Sequence, residues 1–493
     1  MILSKLIKHV PHLKIYGDKN IEIENISCDS NEISKGDLFC AIKGLKADGH
    51  DFVEDAVKKG AYAVCISKEY TGEKTGDTTY IEVTDTRKAY SLLCNAFYES
   101  PSDKMKVIGV TGTNGKTTTT FMIEHLLNAL GRPTGLMGTL YTKIGEQIIK
   151  SSVTTPDAKT LTKTLADMLH LDFKTVAFEV SSHALALDRV YACSFDRAVF
   201  TNLTQDHLDF HKDLNDYFSA KTKLFDSISN GVKDGIAIIN ADDEWSQKII
   251  AGLRISYFTY GLSSISDFKV IESEVQPNGI KYSFKHKGRT YKAELTVSGY
   301  FNIYNSLAAI VTVYSMGFSL DKILKHMKEF KGVKGRFELV DCGQDFSVVV
   351  DYAHTPDGLK NVLDTAKKMT EGRLISVFGC GGDRDKTKRP IMGGIAGERS
   401  DLTFITSDNP RTEEPSKIIE EIEEGIKSLG KRYFKEADRK TAICRALREA
   451  RQGDTVVIAG KGHEDYQILK DKTIHFDDSE VVREHFTTTI RIR

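Results

Sequence analysis

Short apolar runs, each closed by glycine or a polar residue, recur along the chain and predict buried β-strands. The predicted strands are 37–42, 63–66, 107–110, 176–180, 198–200, 236–239, 347–350, 374–378, 402–405 and 455–458. Segments with helical periodicity lie among them, at 52–59, 118–130, 217–225, 359–368 and 417–428. Strands that alternate with helices in this way predict an α/β fold with mainly parallel sheets.

A glycine-rich turn stands between the predicted strand 107–110 and the predicted helix 118–130. Backbone amides of such a turn, together with the helix N-terminus, bind phosphate. The expected nucleotide-binding residues are Gly112, Thr113, Asn114, Gly115, Lys116, Thr117 and Thr118. Lys116 would reach the terminal phosphates, and the Thr117 hydroxyl would bind Mg²⁺. Val110 occupies the place of the first glycine in the usual spacing, so the motif is a variant.

The chain of 493 residues is too long for a single hydrophobic core. We place one boundary at a Pro-Ser-Asp hinge, 101–103, and another at a Gly- and Lys-rich segment, 331–336. The prediction is a smaller N-terminal α/β domain (1–101), a central phosphate-loop ATPase domain with a mainly parallel sheet (102–333), and a C-terminal open, Rossmann-like α/β domain (334–493).

Bulk properties narrow the class of protein. With 68 basic and 69 acidic residues, the net charge is -1, which gives no support to a nucleic-acid or membrane-surface partner. The N-terminal apolar patch is interrupted by Lys5 and Lys8, and no later apolar run has membrane-spanning length. The 8 cysteines form no C-x-x-C pair, which favours reduced thiols. We therefore expect a cytoplasmic protein with no membrane insertion.

Polar side chains follow two predicted strands of the central domain. Glu179 ends an apolar run, where a carboxylate beside a phosphate loop can bind Mg²⁺. His207 also follows a strand, which leaves open both contact with metal or phosphate and an ordinary core or surface role. Lys221 lies in the amphipathic helical pattern, so composition alone predicts a solvated lysine.

Charged residues also follow the predicted strands of the C-terminal domain. Arg384 and Arg411 lie in loops after different strands, and Glu464 lies in a third such loop. Guanidinium groups bind carboxylates through paired hydrogen bonds, and a carboxylate accepts from ammonium. Open α/β sheets bind ligands at the carboxyl ends of their strands. These loops therefore predict a site for a zwitterionic amino acid.

Taken together, the motifs resemble those of the Mur ligase family of peptidoglycan synthesis. The resemblance runs essentially from end to end: TGTNGKTT at 111–118, EVSSH at 179–183, NLTQDHLDFH at 202–211, YFNIYNSLAA at 300–309, GRFE at 335–338, DYAHTPD at 351–357, GCGGDRDKTKRP at 379–390, DNPRTEEP at 408–415 and AGKGHEDYQ at 459–467. The last three are typical of the family member that adds the third residue of the stem peptide.

The resemblance implies three domains and ATP-dependent amide formation with Mg²⁺. A UDP-linked muramyl dipeptide, UDP-N-acetylmuramoyl-L-alanyl-D-glutamate, would be activated as an acyl phosphate, and the amine of meso-diaminopimelate would then displace phosphate. Oligomeric state is left open, with a monomer as the default expectation. An arginine at position 411 would pair with the distal carboxylate of diaminopimelate, which lysine lacks.

The resemblance also implies roles for individual residues. Lys116, His207 and Lys221 match catalytic positions, and Thr117, Glu179, His207 and Lys221 match metal ligands, with Lys221 as a carbamylated lysine. Asn302, Asn305, Arg336, Asp351 and His354 match nucleotide-facing positions. Ser30, Thr154, Thr155, Ser181 and Arg189 match contacts to the UDP-linked substrate, and Arg384, Asp408, Asn409, Pro410, Arg411, Gly460 and Glu464 match contacts to the amino acid.

Two kinds of alternative remain. A related ligase could use L-lysine or another diamino acid, or could resemble a folylpolyglutamate synthetase. A nucleotide switch or simple phosphotransferase belongs to another class, but the chain has no Asn-Lys-x-Asp motif for reading a guanine base. Nor does a switch account for an arginine- and glutamate-bearing third domain. Phosphate release that requires both the UDP-dipeptide and an amino acid would distinguish a ligase from a switch.

Overall fold

The computed structural model describes residues 1–44, 47–74, 76–276 and 279–490. Three large β-sheets follow one another along the chain, each with its own helices and apolar core, and a two-stranded sheet lies near the C-terminal end. Within the described residues, no helix is both long and apolar enough to cross a membrane. The α/β fold with three domains is confirmed, while the boundaries at 101/102 and 333/334 stay predictions.

The N-terminal sheet has five strands in the order β1-β5-β4-β3-β2, parallel except for β1. Its elements are α1 Leu3–Leu6, β1 Lys14–Tyr16, β2 Ile26–Ser27, β3 Leu38–Cys40, α2 Val53–Lys58, β4 Ala63–Ser67, β5 Thr79–Val83 and α3 Thr86–Phe97. The Asp85 side chain caps α3 by accepting from the amides of Arg87 and Lys88. Apolar clusters cover both faces of this sheet.

The central sheet has eleven strands in the order β16-β15-β14-β13-β12-β11-β6-β10-β7-β8-β9. The elements are β6 Lys106–Thr111, α4 Lys116–Ala129, β7 Thr134–Met137, β8 Tyr141–Ile144, β9 Gln147–Lys150, α5 Ala158–His170, β10 Thr175–Glu179, α6 Ser182–Ala186, β11 Arg197–Phe200, α7 Leu214–Ser229, β12 Ile236–Asn240, α8 Ser246–Gly252, β13 Ser256–Gly261, β14 Phe268–Gln276, β15 Gly279–His286, β16 Arg289–Leu295, α9 Phe301–Ser315 and α10 Leu320–Met327. The seven neighbouring strands β14-β13-β12-β11-β6-β10-β7 pair in parallel, as predicted. The antiparallel pairs at both ends, β7-β8-β9 and β14-β15-β16, were not expected.

The C-terminal sheet has the order β17-β18-β22-β19-β20-β21, and all pairs except β17-β18 are parallel. The elements of this domain are β17 Glu338–Leu339, β18 Ser347–Asp351, α11 Pro356–Met369, β19 Leu374–Phe378, α12 Lys388–Arg399, β20 Leu402–Thr406, α13 Pro415–Ile426, β21 Tyr433–Glu436, α14 Arg439–Glu449, β22 Thr455–Ala459, β23 Tyr466–Ile468, β24 Thr473–His475 and α15 Asp478–Ile490. Strands β23 and β24 form a separate antiparallel pair. The loops after β18, β19, β20 and β22 therefore leave one edge of this sheet, and three of them carry Arg384, Arg411 and Glu464, as the sequence predicts.

Direct hydrogen bonds connect the central and C-terminal domains. Asn114 Nδ2 donates to Asp357 Oδ2 at 2.9 Å, and Arg336 Nη2 donates to Thr117 Oγ1 at 3.1 Å. Both contacts join the glycine-rich turn to residues beyond 333. The carboxyl edges of the two parallel sheets consequently face each other across one cleft.

Asp196 is a buried polar centre at the base of the central sheet. Its carboxylate accepts from Lys106 Nζ at 2.7 Å, Lys233 Nζ at 2.6 Å and the Val107 amide at 2.9 Å. Lys233 Nζ also donates to the carbonyls of Ser102 and Met105, which fixes the chain entering β6. Burial by itself raises the pKa of Asp196, but these three donors outweigh it and hold the pKa below its usual value.

Asp196→Asn should lower the free energy of unfolding by about 3 kcal/mol at pH 7, because it leaves buried lysine without its anion. A depressed folded pKa contributes stability above the unfolded pKa of about 3.9 and loses it as pH falls further. The difference from wild type should therefore narrow below about pH 4. Denaturant unfolding followed by the fluorescence of Trp245, the only tryptophan of the chain, measures the free energy of unfolding of both proteins at each pH.

Asp172→Asn is the matched control, because Asp172 pairs with Lys174 at an exposed turn. Its effect should stay within about 0.5 kcal/mol at every pH. Equal effects of the two substitutions would contradict the importance of the buried Asp196 network.

Candidate active site

A cleft of about 580 Å³ lies between the carboxyl edges of the central and C-terminal sheets. Thirteen of the sequence-predicted site residues line it: Thr113, Asn114, Gly115, Lys116, Thr117, Thr118, Thr154, Glu179, His207, Asn305, Arg336, Asp351 and His354. The structure thus brings together the predicted phosphate, metal and nucleotide positions. These positions span both domains, as a bound nucleotide between them would require.

The glycine-rich turn is shaped by close packing. Gly115, with φ +86°, sits at the N-cap of α4, and a Cβ there would collide with Asn305 Oδ1. Gly112, with φ +148°, lies against the Thr201 hydroxyl in the same way. Glycine is therefore required at both positions. Asn202 holds the turn between them, because its carbonyl accepts from the Thr113 amide at 2.8 Å and its Oδ1 accepts from the Asn114 amide at 2.9 Å.

Lys116 folds over this turn. Its Nζ donates to the carbonyls of Gly112 at 3.0 Å and Thr113 at 2.9 Å. Burial lowers the pKa of Lys116, although Glu179 opposes that effect. The ammonium group lies at the mouth of the phosphate cradle, where a phosphate anion would offer it a stronger partner than a carbonyl.

Thr117 and Glu179 are in contact. Thr117 Oγ1 donates to Glu179 Oε2 at 2.9 Å. Thr139 holds the same carboxylate, with its amide on Oε1 at 2.8 Å and its hydroxyl on Oε2 at 3.1 Å. Glu179 is almost completely buried at the end of β10. The result is a pair of hard oxygen ligands fixed beside the first turn of α4.

His207 occupies a strained position in the same cleft. Its φ of +56° is unusual for a residue with a side chain, and its Nε2 lies 3.3 Å from Asp206 Oδ2. Burial lowers the pKa of His207 to about 3, so its ring is neutral at pH 7. A neutral imidazole is the form that binds a metal. Strain at a cleft residue is a common sign of function.

Lys221 is not a solvated lysine, which corrects the expectation from composition. The side chain, on α7, is 1% exposed, and Nζ donates to Gly112 O at 2.7 Å. Its Nζ also lies 4.4 Å from the centroid of the Tyr217 ring. Burial and the neighbouring Lys116 lower the pKa of Lys221 well below its usual value. The helical phase of α7 therefore turns this lysine inward, beneath the phosphate turn.

Of the residues expected to face the nucleotide, some line the cleft, and others hold the loops or side chains that line it. Arg336 lies over the Tyr352 ring, with Cζ 4.5 Å from the centroid. Asp351 accepts from the amides of Phe337 at 2.6 Å and Ala353 at 2.7 Å, and burial raises its pKa to about 6. Its carboxylate therefore braces the loop after β18.

The asparagines and histidine of this set show the same division. Asn302 Oδ1 accepts from Asn305 Nδ2 at 2.9 Å, so Asn302 orients the residue that packs on Gly115. His354 Nδ1 lies 3.0 Å from Tyr352 O, and its ring lines the cleft. Within the described residues, Asn302 does not line the cleft and acts by orienting Asn305.

The residues expected to bind the UDP-linked substrate form one hydrogen-bonded group, except for Ser30. Thr155 Oγ1 donates to Glu179 O at 2.8 Å and lies 3.2 Å from Ser181 Oγ. Arg189 Nη1 donates to Thr155 O at 3.0 Å. Thr154 joins the group through the Thr139 hydroxyl at 3.1 Å. This group adjoins Glu179, next to the phosphate turn.

Ser30 lies in the N-terminal domain, in the turn that Asp29 caps by accepting from Asn31. Its carbonyl accepts from Lys59 Nζ at 2.9 Å. Within the described residues, no recorded hydrogen bond connects it with the Thr155 group. Its substrate role stays a prediction.

Arg384 and Arg411 converge on Gly381. A Cβ at Gly381 would lie 2.9 Å from Arg411 Nη1 and 3.8 Å from Arg384 Cγ. Arg411, with φ +53°, donates through Nη1 to Gly382 O at 2.8 Å and to Asn409 O at 3.4 Å. The structure thus brings two cationic residues of different loops to one point on the sheet edge.

Glu464 lies in a polar network with Asn409 and Lys461 that the sequence did not fully predict. Its Oε2 accepts from Asn409 Nδ2 at 2.8 Å and from Lys461 Nζ at 3.0 Å. Burial raises the pKa of Glu464, although Lys461 opposes the shift. Asp408 packs against Gly460, whose Cβ would lie 2.5 Å from Asp408 Oδ2. Pro410 completes this loop by packing its carbonyl on Gly382.

Several residues in or beside the candidate site were missed from the sequence. Thr139, Asp357 and Lys461 each contact a predicted site residue. Asp357 and Lys461 belong to the motifs DYAHTPD and GKGH, so their positions in these motifs could have predicted them as site residues. Thr139 lies outside those motifs. Tyr300, Tyr304 and Lys368 line the far wall of the cleft, where α9 and α11 face each other.

Three family descriptions match consecutive parts of the chain. They are the Mur ligase family catalytic domain at residues 22–98, the Mur ligase middle domain at 110–313, and the Mur ligase glutamate ligase domain at 335–462. A UDP-N-acetylmuramoyl-L-alanyl-D-glutamate--2,6-diaminopimelate ligase of Clostridium tetani is 45% identical over 487 residues, covering 98% of this chain and 99% of that protein.

Solved structures agree with this relationship. A structure of a UDP-N-acetylmuramoyl-L-alanyl-D-glutamate--2,6-diaminopimelate ligase is 31% identical, with a TM-score of 0.70, and covers 99% of this chain and 100% of its own. Folylpolyglutamate synthase of Mycobacterium tuberculosis has a TM-score of 0.62 at 17% identity, over 83% of this chain and 95% of its own, and shares the fold. The fold and site define an ATP-dependent ligase of three domains. The chain belongs to the Mur ligase family.

Proposed function

We propose that this protein joins meso-diaminopimelate to the D-glutamate of UDP-N-acetylmuramoyl-L-alanyl-D-glutamate, with conversion of ATP to ADP and phosphate. The observation that carries the substrate assignment is the convergence of Arg384 and Arg411 on Gly381, where Asn409 contacts both Arg411 and Glu464. The names of relatives that cover almost the whole chain support it. The product would serve peptidoglycan synthesis, and through it cell-wall biogenesis, cell shape and cell division. We place the reaction in the cytoplasm, where ATP and UDP-linked precursors are available.

Activation of the D-glutamyl side chain would occur at the glycine-rich turn. A carboxylate oxygen attacks the γ-phosphorus of ATP, the bond to the ADP oxygen breaks, and an acyl phosphate forms. The amine of the amino acid then attacks the acyl carbon, losing a proton, and phosphate leaves. The reaction brings anions together, so Lys116 and Arg336, both in the cleft, would neutralise charge and hold the reactants in line.

The residues around Glu179 fit Mg²⁺. Thr117 Oγ1 and Glu179 Oε2 are adjacent hard oxygen donors, and the neutral imidazole of His207 lies in the same cleft. Within the described residues, no group of three or more His, Cys, Asp or Glu is placed to hold a metal, so hydroxyl and phosphate oxygens would complete the ligand set. When bound, Mg²⁺ would offset the charge of the phosphates.

Lys221 fits a carbamate. An unmodified ammonium there would repel the metal, whereas CO₂ bonded to Nζ, with loss of a proton, converts the side chain to an anion. Reaction with CO₂ requires a neutral amine, and burial favours that form. Lys221 Nζ already contacts Gly112 O, directly beneath the phosphate turn.

Recognition of the amino acid would depend on the carboxyl edge of the C-terminal sheet. Meso-diaminopimelate carries two carboxylates and two ammonium groups. Arg411 Nη1 and the Arg384 side chain lie beside Gly381, so their guanidinium groups would bind carboxylates, and Glu464 offers a carboxylate to an ammonium group. L-lysine lacks the second carboxylate and would leave one guanidinium without its partner.

The requirement for both substrates can be tested directly. Purified protein with ATP and Mg²⁺ should release phosphate only when both the UDP-dipeptide and meso-diaminopimelate are present, and EDTA should abolish release. Coupled phosphate detection and mass spectrometry of the ligated product measure it. Parallel reactions with L-lysine should be at least about 10-fold less efficient, if one charge-assisted pair is lost. Preferential use of lysine, or hydrolysis of nucleotide without the UDP-dipeptide, would refute the assignment.

Arg411 is expected to recognise the distal carboxylate of meso-diaminopimelate. Arg411→Ala should reduce kcat/KM for meso-diaminopimelate by about 10-fold or more, equivalent to about 1.4 kcal/mol, while efficiency with L-lysine stays unchanged or rises. Steady-state kinetics with both amino acids measures the ratio. Arg432→Ala, at an exposed site before β21, is the control and should leave both values unchanged. An equal loss with both amino acids would argue against contact with the distal carboxylate.

Lys221 is expected to be required for ligation. Lys221→Ala should lose most ligase activity, and added bicarbonate should not restore it. Lys223→Ala, on the same helix and 45% exposed, should retain activity. Carbon-13 NMR of protein equilibrated with ¹³C-bicarbonate should show a carbamate carbonyl in wild type and in Lys223→Ala, and none in Lys221→Ala. Full activity of Lys221→Ala would remove this residue from the mechanism.

A further inference from the structure

Arg439 is a fully buried charge at the centre of the C-terminal domain. It is the first residue of α14, its side chain is 0% exposed, and it is among the largest buried side chains of the described residues. The sequence offers no motif for it. A guanidinium removed from water must have its donors satisfied, so its partners indicate its purpose.

The partners of Arg439 belong to three separate segments. Its Nε and Nη2 donate to Asp478 Oδ1 at 2.8 Å and Oδ2 at 2.7 Å, a bidentate pair with the first residue of α15. Its Nη1 donates to Ser407 O at 3.2 Å, and Nη2 also donates to Ala459 O at 3.1 Å. Ser407 follows β20, and Ala459 ends β22.

The sheet itself does not hold these two carbonyls together. In the strand order, β19 separates β20 from β22, so no ladder of backbone hydrogen bonds joins them. Arg439 spans this gap behind the sheet edge. Each carbonyl belongs to the residue immediately before a predicted amino-acid contact, Asp408 in one loop and Gly460 in the other.

The two loops touch at those same residues. Asp408 Oδ2 lies against Gly460, at a separation that leaves no room for a Cβ. Gln467 Nε2 donates to Asp408 O at 2.7 Å, which ties the loop after β20 to β23. A small displacement of either strand end would therefore move Asp408, Asn409 and Glu464 relative to one another.

We propose that Arg439, held by Asp478, is a positioning residue that sets the amino-acid pocket by fixing the loops after β20 and β22 to each other. This inference rests on the proposed function, because it takes that pocket to be the site of the amino acid. Lysine could not substitute, since one ammonium lacks the planar fork that reaches a carboxylate and two carbonyls at once.

The competing explanation is that Arg439 only stabilises the fold. Two variants distinguish the possibilities. Arg439→Lys keeps the charge near Asp478 but loses the fork. The double variant Arg439→Met/Asp478→Leu removes both buried charges together, which restores stability in other buried pairs, yet it also lacks the donors to Ser407 and Ala459.

Arg373→Lys is the matched control. Arg373 forms a buried-carboxylate ion pair in which Nε at 3.2 Å and Nη2 at 2.7 Å both donate to Asp454 Oδ2, and Nη2 also donates to Glu449 O. This pair lies at the amino ends of β19 and β22, the edge of the same sheet opposite the pocket.

The experiment measures KM for all three substrates of the ligase, together with melting temperatures. In either Arg439 variant, KM for meso-diaminopimelate should rise about 10-fold or more, as expected for misplaced recognition groups, while KM for ATP and for the UDP-dipeptide changes less than about 2-fold. Arg373→Lys should leave all three KM values near those of wild type.

Unchanged KM for the amino acid in a folded variant would overturn the proposal. A parallel rise in all three KM values, or failure of both variants to fold, would assign Arg439 a structural role and would also overturn it. If wild type ligates L-lysine instead of meso-diaminopimelate, the proposed substrate is wrong, and the same comparison made with L-lysine still tests Arg439.

Discussion

Parallel pairing of strands is the constraint on which both halves of the cleft depend. In the central sheet, β6 lies between β10 and β11, so the glycine-rich turn, Glu179 and the segment after Phe200 leave the same edge. In the C-terminal sheet, β18, β22, β19 and β20 likewise end together. Each edge collects side chains from segments that are distant in sequence. Hydrogen bonds such as Asn114 to Asp357 then join the two edges into one site.

Buried charged side chains distinguish the ligand-binding cleft from the interior of the C-terminal domain. The cleft places Lys116, Lys221 and Arg336 near one another, with Glu179 and Asp206 as the anions facing them. Burying cations is costly unless anions accompany them, and the phosphates of a nucleotide would supply that compensation. The C-terminal domain uses another solution, in which Arg389 and Arg439 are neutralised inside the protein by Glu413, Glu421 and Asp478. The first arrangement is suited to binding a ligand, and the second to holding loops in place.

The sequence predicted what depends on local spacing and failed where long-range packing decides. Thr117 and Glu179 are in contact because the turn after β6 and the end of β10 meet at one edge of a parallel sheet, whereas their role as metal ligands stays a prediction. Lys221 was placed in solvent, since an amphipathic pattern gives the period of a helix but not which lysine faces a neighbouring turn. Arg439 gave no signal, because its partner Asp478 is distant in sequence and its other acceptors are backbone carbonyls. The antiparallel edges β8-β9 and β15-β16 were missed for a related reason, since edge pairing depends on register that no apolar run specifies.

Backbone strain marks the place where the C-terminal loops meet. Asp383 and Arg411 both have left-handed φ values, +54° and +53°, a conformation that costs about 1 to 3 kcal/mol for a residue with a side chain. They belong to different loops, which are joined by the Thr412 hydroxyl on Asp383 Oδ1 at 2.7 Å and by the Asp383 amide on Glu413 Oε1 at 2.6 Å. Glu413 is in turn fixed by the buried Arg389. The fold thus uses buried ion pairs to maintain a strained arrangement that directs two arginines to one point, and a flexible loop could not hold them there without losing entropy on binding.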